Sequence, residues 1–241
     1  MLTHSDLPRI SEIVADTHKT YGVVPWEHWS QLSSEPQIKK HFVDLEYYLS
    51  SLREHDWAIL KQKMVPQFKS KYQDRGWQLA FDLVNEAVAY NILGSRGFQV
   101  VSFVKESPKT QTPDLTAKKG NIIWACEVKT INESENEIIS RVQGLATSTF
   151  VDLDVNFFTK LEKTLAIAAG QLQHVQCERR MIFVVFNFDD SWHEYVDRYF
   201  DQIKNWLMGQ TMKADQYFFL AMPPFSTRHS QERLHLVWPP D

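Results

Sequence analysis

Apolar residues recur three or four apart at Ile38, Phe42, Leu45, Leu49 and Leu52, and that spacing predicts helix within residues 35–64. Pro36 suits the start of that run and Pro66 a break after it. Residues 76–94 predict a second helix, apolar around most of its circumference and closed by Gly94 and Gly97. The pattern then shortens to strand-sized runs at 98–104, 113–119 and 121–131, with a turn at Gly120. Residues 132–155 carry no period and read as a long loop. A helical stripe returns at Phe158, Leu161, Leu165, Ala168, Leu172 and Val175. Residues 180–188 form a continuous apolar run of strand length. Residues 191–207 predict an amphipathic helix with Ser191 as N-cap. Two last strands, at 216–224 and 233–240, end in prolines.

From residue 76 the order is therefore helix, three strands, helix, strand, helix, strand, strand. Strands mixed with helices predict a layered α/β or α+β domain around a central sheet. Residues 1–75 read as helices and loops added to that core, so two parts are expected: an N-terminal helical extension, 1–75, and a domain over 76–241.

Composition narrows the class. With 43% hydrophobic and 23% charged residues, the 241-residue chain is ordinary for a soluble globular protein. A formal net charge of −4 excludes a surface coated in basic residues, though not a local patch. The most basic window holds Lys61, Lys63, Lys69, Lys71 and Arg75, interleaved with Phe68, Tyr72 and Trp77. It reads as a solvated helix face or as a nucleic-acid contact. Cys126 and Cys177 supply no disulfide framework, zinc ligand set or CxxC pair. No apolar run approaches ~20 residues and no apolar leader core opens the sequence, so a cytoplasmic protein without a membrane partner is expected.

The candidate chemistry centres on the strand 121–131. Side chains alternate faces, so Ile123, Ala125, Glu127, Lys129 and Ile131 project together. A carboxylate and an amine on an apolar strand need a partner or a metal. A [DE]xK triplet is expected about once or twice by chance in a chain this long, so it says little alone. A local ion pair at the sheet margin would explain it equally well. Asp114 adds weight. Pro113 before it keeps the chain extended, and the Gly120 turn lets 113–118 fold back on 121–131. Glu86 is the third acid, set among Leu79, Leu83, Tyr90 and Leu93 beside a narrow polar face of Gln78, Asp82 and Asn85. A carboxylate in that setting is costly unless paired. Read singly, Asp114 is an ordinary turn residue and Glu86 a helix-surface carboxylate.

Taken together, Glu86 in a helix, the "PD" of Pro113–Asp114 and the "EVK" of Glu127–Lys129 resemble the PD-(D/E)XK nuclease superfamily, the restriction-endonuclease-like fold. The resemblance covers roughly residues 76–187. It implies a core with a central mixed β-sheet flanked by helices, and a metal-dependent nuclease, in the first instance an endonuclease on DNA. Asp114, Glu127 and Glu86, with the backbone carbonyl of Val128, would hold one or two Mg²⁺ or Mn²⁺ ions, since all-oxygen sites suit these cations. Lys129 would orient or deprotonate the attacking water. The family expectation is a 5′-phosphate product. Gln171, on the flank of its helix with Lys160 and Thr164, is a weaker site candidate. A Tyr often follows four residues after such a Gln, and here that position is Val175.

Other constellations are absent. The histidines show no HxxxH or HExxH spacing, and there is no phosphate-binding glycine loop. Asp152 and Asp154 read as loop or N-cap residues rather than ligands. No helix-turn-helix, zinc-finger or RNA-binding signature identifies a substrate. The N-terminal helices offer a surface for substrate, a protein partner or a second copy. The competing readings are a catalytically silent nuclease-fold module that binds nucleic acid or protein, and an enzyme of unrelated fold.

Overall fold

The stretch 35–64, whose spacing predicts helix, holds two helices with a break at Ser51–Arg53. Both serines at the break bond backward instead of propagating helix. Ser51 Oγ donates to the Tyr48 carbonyl at 2.7 Å, and Ser50 Oγ to Glu46. Arg53 is extended (φ −62°, ψ 152°) and starts the next helix. In this computed structural model, residues 6–25, 36–69, 78–105, 107, 111–132, 152–187, 195–211, 213–222 and 233–239 are described.

The chain forms two compact units, Met1–Glu106 with Asp114–Asn121, and Ser107–Pro113 with Ile122–Asp241. The first contains α1 (Pro8–Tyr21), α2 (Pro36–Ser50), α3 (Glu54–Met64) with a 3₁₀ turn at Val65–Phe68, α4 (Gln78–Ser95), β1 (Gln99–Phe103) and β2 (Leu115–Lys119). Its core is Leu7, Ile10, Ile13, Leu45, Leu49, Leu60, Met64 and Phe68, none of them solvent-exposed. Each such side chain contributes about 1.5–3 kcal/mol of burial. The N-terminal helices are thus packed into one core with α4, which also contacts β1 and β2.

Two buried carboxylates join these elements. Leu7 offers no side-chain cap to α1, and Glu46 of α2 supplies it, accepting the Arg9 and Ile10 amides at 3.0 Å each. Asp56 of α3 is fully buried. It accepts the Phe103 amide at 2.9 Å, Arg53 Nε at 2.8 Å and Tyr90 Oη at 3.3 Å. Arg53 continues to the Val101 carbonyl (2.6 Å) and Ser102 Oγ (2.7 Å), so the break before α3 is what lets one pair tie that helix to β1. β1 pairs antiparallel with β2 through an irregular register between Gln99 and Ser102, where Val100 takes φ 51°. Gly120, φ +62°, makes the turn that its position predicts.

The second unit contains β3 (Ile122–Asn132), α5 (Val155–Leu172), β4 (Arg179–Asn187), α6 (Val196–Met208), β5 (Gln216–Met222) and β6 (Arg233–Trp238). β3, β4 and β5 are parallel neighbours, joined through the helices, and β6 is antiparallel to β5. Parallel strands require such crossovers. Leu161, Leu165, Ala168 and Leu172 of α5 and Phe200, Ile203 and Leu207 of α6 pack in one core with Ala125, Ile131, Ile182, Val184, Phe186 and Phe219. Both helices therefore cover one face of this sheet. The alternate residues Cys126, Met181, Phe183, Val185, Phe218 and Leu220 are buried too, which explains why β4 reads as an unbroken apolar run.

Asp154 caps α5 by accepting the Phe157 amide at 2.8 Å, as its position predicts. Helix α6 starts later than its pattern predicts, at Val196 after Tyr195, which gives no side-chain cap. Ser191 and most of the predicted loop 132–155 lie outside the described residues. The class is α/β, with helices and both parallel and antiparallel strand pairs, in agreement with the layered expectation. Among the described residues, no helix is long and apolar enough to cross a membrane.

Candidate functional site

In the first unit, Glu86 and Asp114 share one cation. Helix α4 is buried around nearly its whole circumference. Val84, Asn85, Ala87, Val88 and Ala89 are all inaccessible, so Asn85 turns inward rather than forming a solvent face. Glu86 is buried with them, at 7% exposure. Asp114 sits just before β2 with its side chain 18% exposed, and its carbonyl accepts the Val104 amide at 3.0 Å. Between the two carboxylates lies the Lys63 ammonium, 3.0 Å from Glu86 Oε2 and 3.4 Å from Asp114 Oδ1. The Lys63 side chain is only 9% exposed.

Lys63 reaches this place through helix period. Asp56, Leu60 and Met64 are buried on α3, and Lys63 stands three residues after Leu60 and seven after Asp56. The sequence therefore held a signal for it: a lysine on the buried stripe of its helix. Its position in the most basic window masks that signal. An isolated carboxylate at such burial is strongly disfavoured, so two acids and one ammonium form a mutually dependent set.

The second unit holds the other two candidates. Glu127, in the middle of β3, is 1% exposed, and Lys129 Nζ donates to its Oε1 at 2.6 Å. The two side chains project together, as strand alternation predicts. Their register partners on β4 are Ile182 and Val184, and Val128 between them pairs with Phe183. The contact is an ion pair, yet it lies deep within a strand flanked by apolar residues rather than at a sheet margin. Taking a carboxylate to such a position costs several kcal/mol of desolvation, which its pairing offsets in part.

The remaining candidates on α5 are placed less decisively. Gln171 lies in the last turn, next to Leu172, whose carbonyl accepts Arg180 Nε at 3.0 Å. Its Oε1 is buried with no hydrogen-bond partner among the described residues. Lys160 donates to the Asn132 carbonyl at 2.6 Å. Asp152 engages Arg198 and Gln202 instead of gathering with other acids, which suits the loop role expected of it.

The described lysines of the basic window are engaged within the first unit. Lys61 pairs with Glu12 at 3.0 Å and Asp16 at 2.9 Å. Burial lowers its pKa, but the hydrogen bonds to Asp16 and Glu12 outweigh that and hold it above the ordinary lysine value. Lys69 stands over the Tyr21 ring at 5.3 Å. Lys71, Tyr72, Arg75 and Trp77 lie outside the described residues.

Glu86, Asp114 and Glu127 offer only carboxylate oxygens, the donor type that hard divalent cations prefer. Glu86 and Asp114 converge on one positive charge in the first unit, and two carboxylates with water are a donor set that suits a small hard cation there. Among the described residues, no group of three or more His, Cys, Asp or Glu side chains stands together as a ligand set for one ion. Compared with family models, curated proteins and solved structures, the chain matches none.

Proposed function

We propose that the protein is a metal-dependent nuclease that hydrolyses phosphodiester bonds of DNA, with Glu86, Asp114, Glu127 and Lys129 as its working residues and a restriction-endonuclease-like core. The observation that supports this most is the shared cation of Glu86 and Asp114. These residues are 28 positions apart in the sequence and were paired only by the resemblance, yet they come to one ammonium at 3.0 and 3.4 Å. A helix-surface glutamate and an ordinary turn aspartate would have no reason to do so.

In this reading Asp114, Glu127 and Glu86 hold Mg²⁺ or Mn²⁺, with the Val128 carbonyl as a further donor. When bound, the metal supplies charge neutralisation at the phosphate and a more acidic water. Glu127 is pre-ordered by its strand and by Lys129, so its carboxylate loses little freedom on binding a cation. The Lys129 amine, fixed at 2.6 Å from Glu127, stands ready to orient a water or to offset charge on the phosphate. The apolar walls of β3 keep bulk water from screening these charges. The cytoplasm, a DNA partner, and a protein or second-copy contact through the N-terminal helices belong to the same proposal.

The test is incubation of purified protein with supercoiled, linear and single-stranded DNA, and with RNA, in Mg²⁺ or Mn²⁺. Asp114→Ala and Lys129→Ala are run in parallel. Wild-type cleavage that both substitutions reduce by about a hundredfold or more is the expected result. Cleavage unaffected by either would remove these residues from the mechanism. Tight binding of nucleic acid with no cleavage would replace the nuclease by the binding module.

A further inference from the structure

Lys63 is the residue of the site that the resemblance did not supply, and the inference about it rests on the metal-dependent reading above. Its ammonium already stands where Glu86 and Asp114 converge, at 3.0 and 3.4 Å, with only 9% of the side chain exposed. A divalent cation and an ammonium cannot both sit on the same carboxylate oxygens, because like charges at that separation repel strongly away from bulk water. Lysine also carries its charge on a flexible four-carbon stem, here from the last turn of α3. The ammonium can therefore withdraw while the helix stays in place.

We infer that Lys63 is an internal counter-ion for the metal position, holding Glu86 and Asp114 until a divalent cation displaces it. Two consequences follow from the charges. Without metal, Lys63 keeps the buried Glu86 and the half-buried Asp114 from repelling each other, so it stabilises the first unit. With metal, it is a competitor, so it weakens the affinity that the carboxylates alone would give.

The experiment is Mn²⁺ titration by calorimetry, with thermal melting in the presence and absence of Mn²⁺, on the full chain. Wild type is compared with Lys63→Met, Lys63→Gln and Lys63→Arg. The neutral variants are expected to melt earlier without metal and to bind Mn²⁺ about tenfold more tightly, with a larger rise in melting temperature on adding it. Lys63→Arg, which keeps the charge, is expected to bind Mn²⁺ as wild type does. Lys63→Gln is the second neutral variant should Lys63→Met fail to fold, since its amide can still donate to both carboxylates. An Mn²⁺ affinity unchanged or weakened in a folded neutral variant would overturn the inference, as would the absence of saturable Mn²⁺ binding in every variant. The readout is independent of cleavage. Competition seen in a protein that cuts nothing sinks the nuclease and keeps the counter-ion. Normal cleavage with unchanged affinity does the reverse.

Discussion

Among the described residues, buried charge serves structure as well as any chemistry, and single residues separate the two. Asp56 touches none of the candidate site yet binds the Phe103 amide, Arg53 and Tyr90 from full burial. Asp56→Ala is expected to lower unfolding free energy by about 3 kcal/mol in urea denaturation, because it strips a buried amide and a guanidinium of their acceptor. A loss below about 1 kcal/mol would mean that β1 does not depend on it. Tyr90 stays protonated further up the pH scale than an ordinary tyrosine, first through burial and then through the Asp56 charge. Glu12 gives the pH dependence. Burial raises its carboxyl, but hydrogen bonds from Trp57 and Lys61 and the charges of Lys61 and Arg9 outweigh it, leaving it below the ordinary value of 4.5. A carboxyl lowered by folding contributes stability above its unfolded value, and the contribution fades as pH falls through the folded one. Glu12→Gln is therefore expected to flatten the fall in melting temperature below about pH 4.5 relative to wild type. Identical slopes would deny Glu12 that role. At this scale the sequence exposed Glu86, Asp114, Glu127 and Lys129 as candidates, because charges in apolar patterns stand out. It hid Lys63, since a lysine among lysines looks solvated until the helix stripe fixes which way it points.

Elements were legible where one period persists. The apolar runs place the ends of β3, β4 and α4 within a residue or two of those observed, because burial on both strand faces or around a whole helix leaves long apolar runs. The break between α2 and α3 was not legible. Its cause is tertiary: Asp56 must reach the Phe103 amide, 47 residues away. The start of α6 is not legible, because Tyr195, the residue before it, carries no side-chain cap. One element carries visible strain. Val100 is β-branched and exposed (66%), and holds φ 51°, a region that costs non-glycine residues ~1–2 kcal/mol. Val100→Gly is expected to raise stability by roughly 0.5–1 kcal/mol, read from denaturation midpoints, after the entropy lost by glycine is subtracted. A destabilised variant would show that the Val100 side chain contributes more than its exposure suggests.

For the whole molecule, the α/β class followed from the order of elements, whereas the packing of residues before 76 did not. A polar, proline-marked N-terminal stretch looks like an addition in one dimension. In three, Glu46 and Asp56 build it into a core with α4 and β1, through partners far along the chain. The proposed nuclease activity depends on a similar long-range fact, the meeting of Glu86 with Asp114 on Lys63, and on the pairing of buried Glu127 with Lys129. Its most direct test is plasmid cleavage by wild type and Glu127→Gln, with Mg²⁺ and with the metal chelated, on samples matched for folding by circular dichroism. Mg²⁺-dependent cutting by wild type is expected, abolished by chelation and reduced about a thousandfold or more in Glu127→Gln. Cutting that persists in Glu127→Gln, or that ignores the chelator, would contradict it.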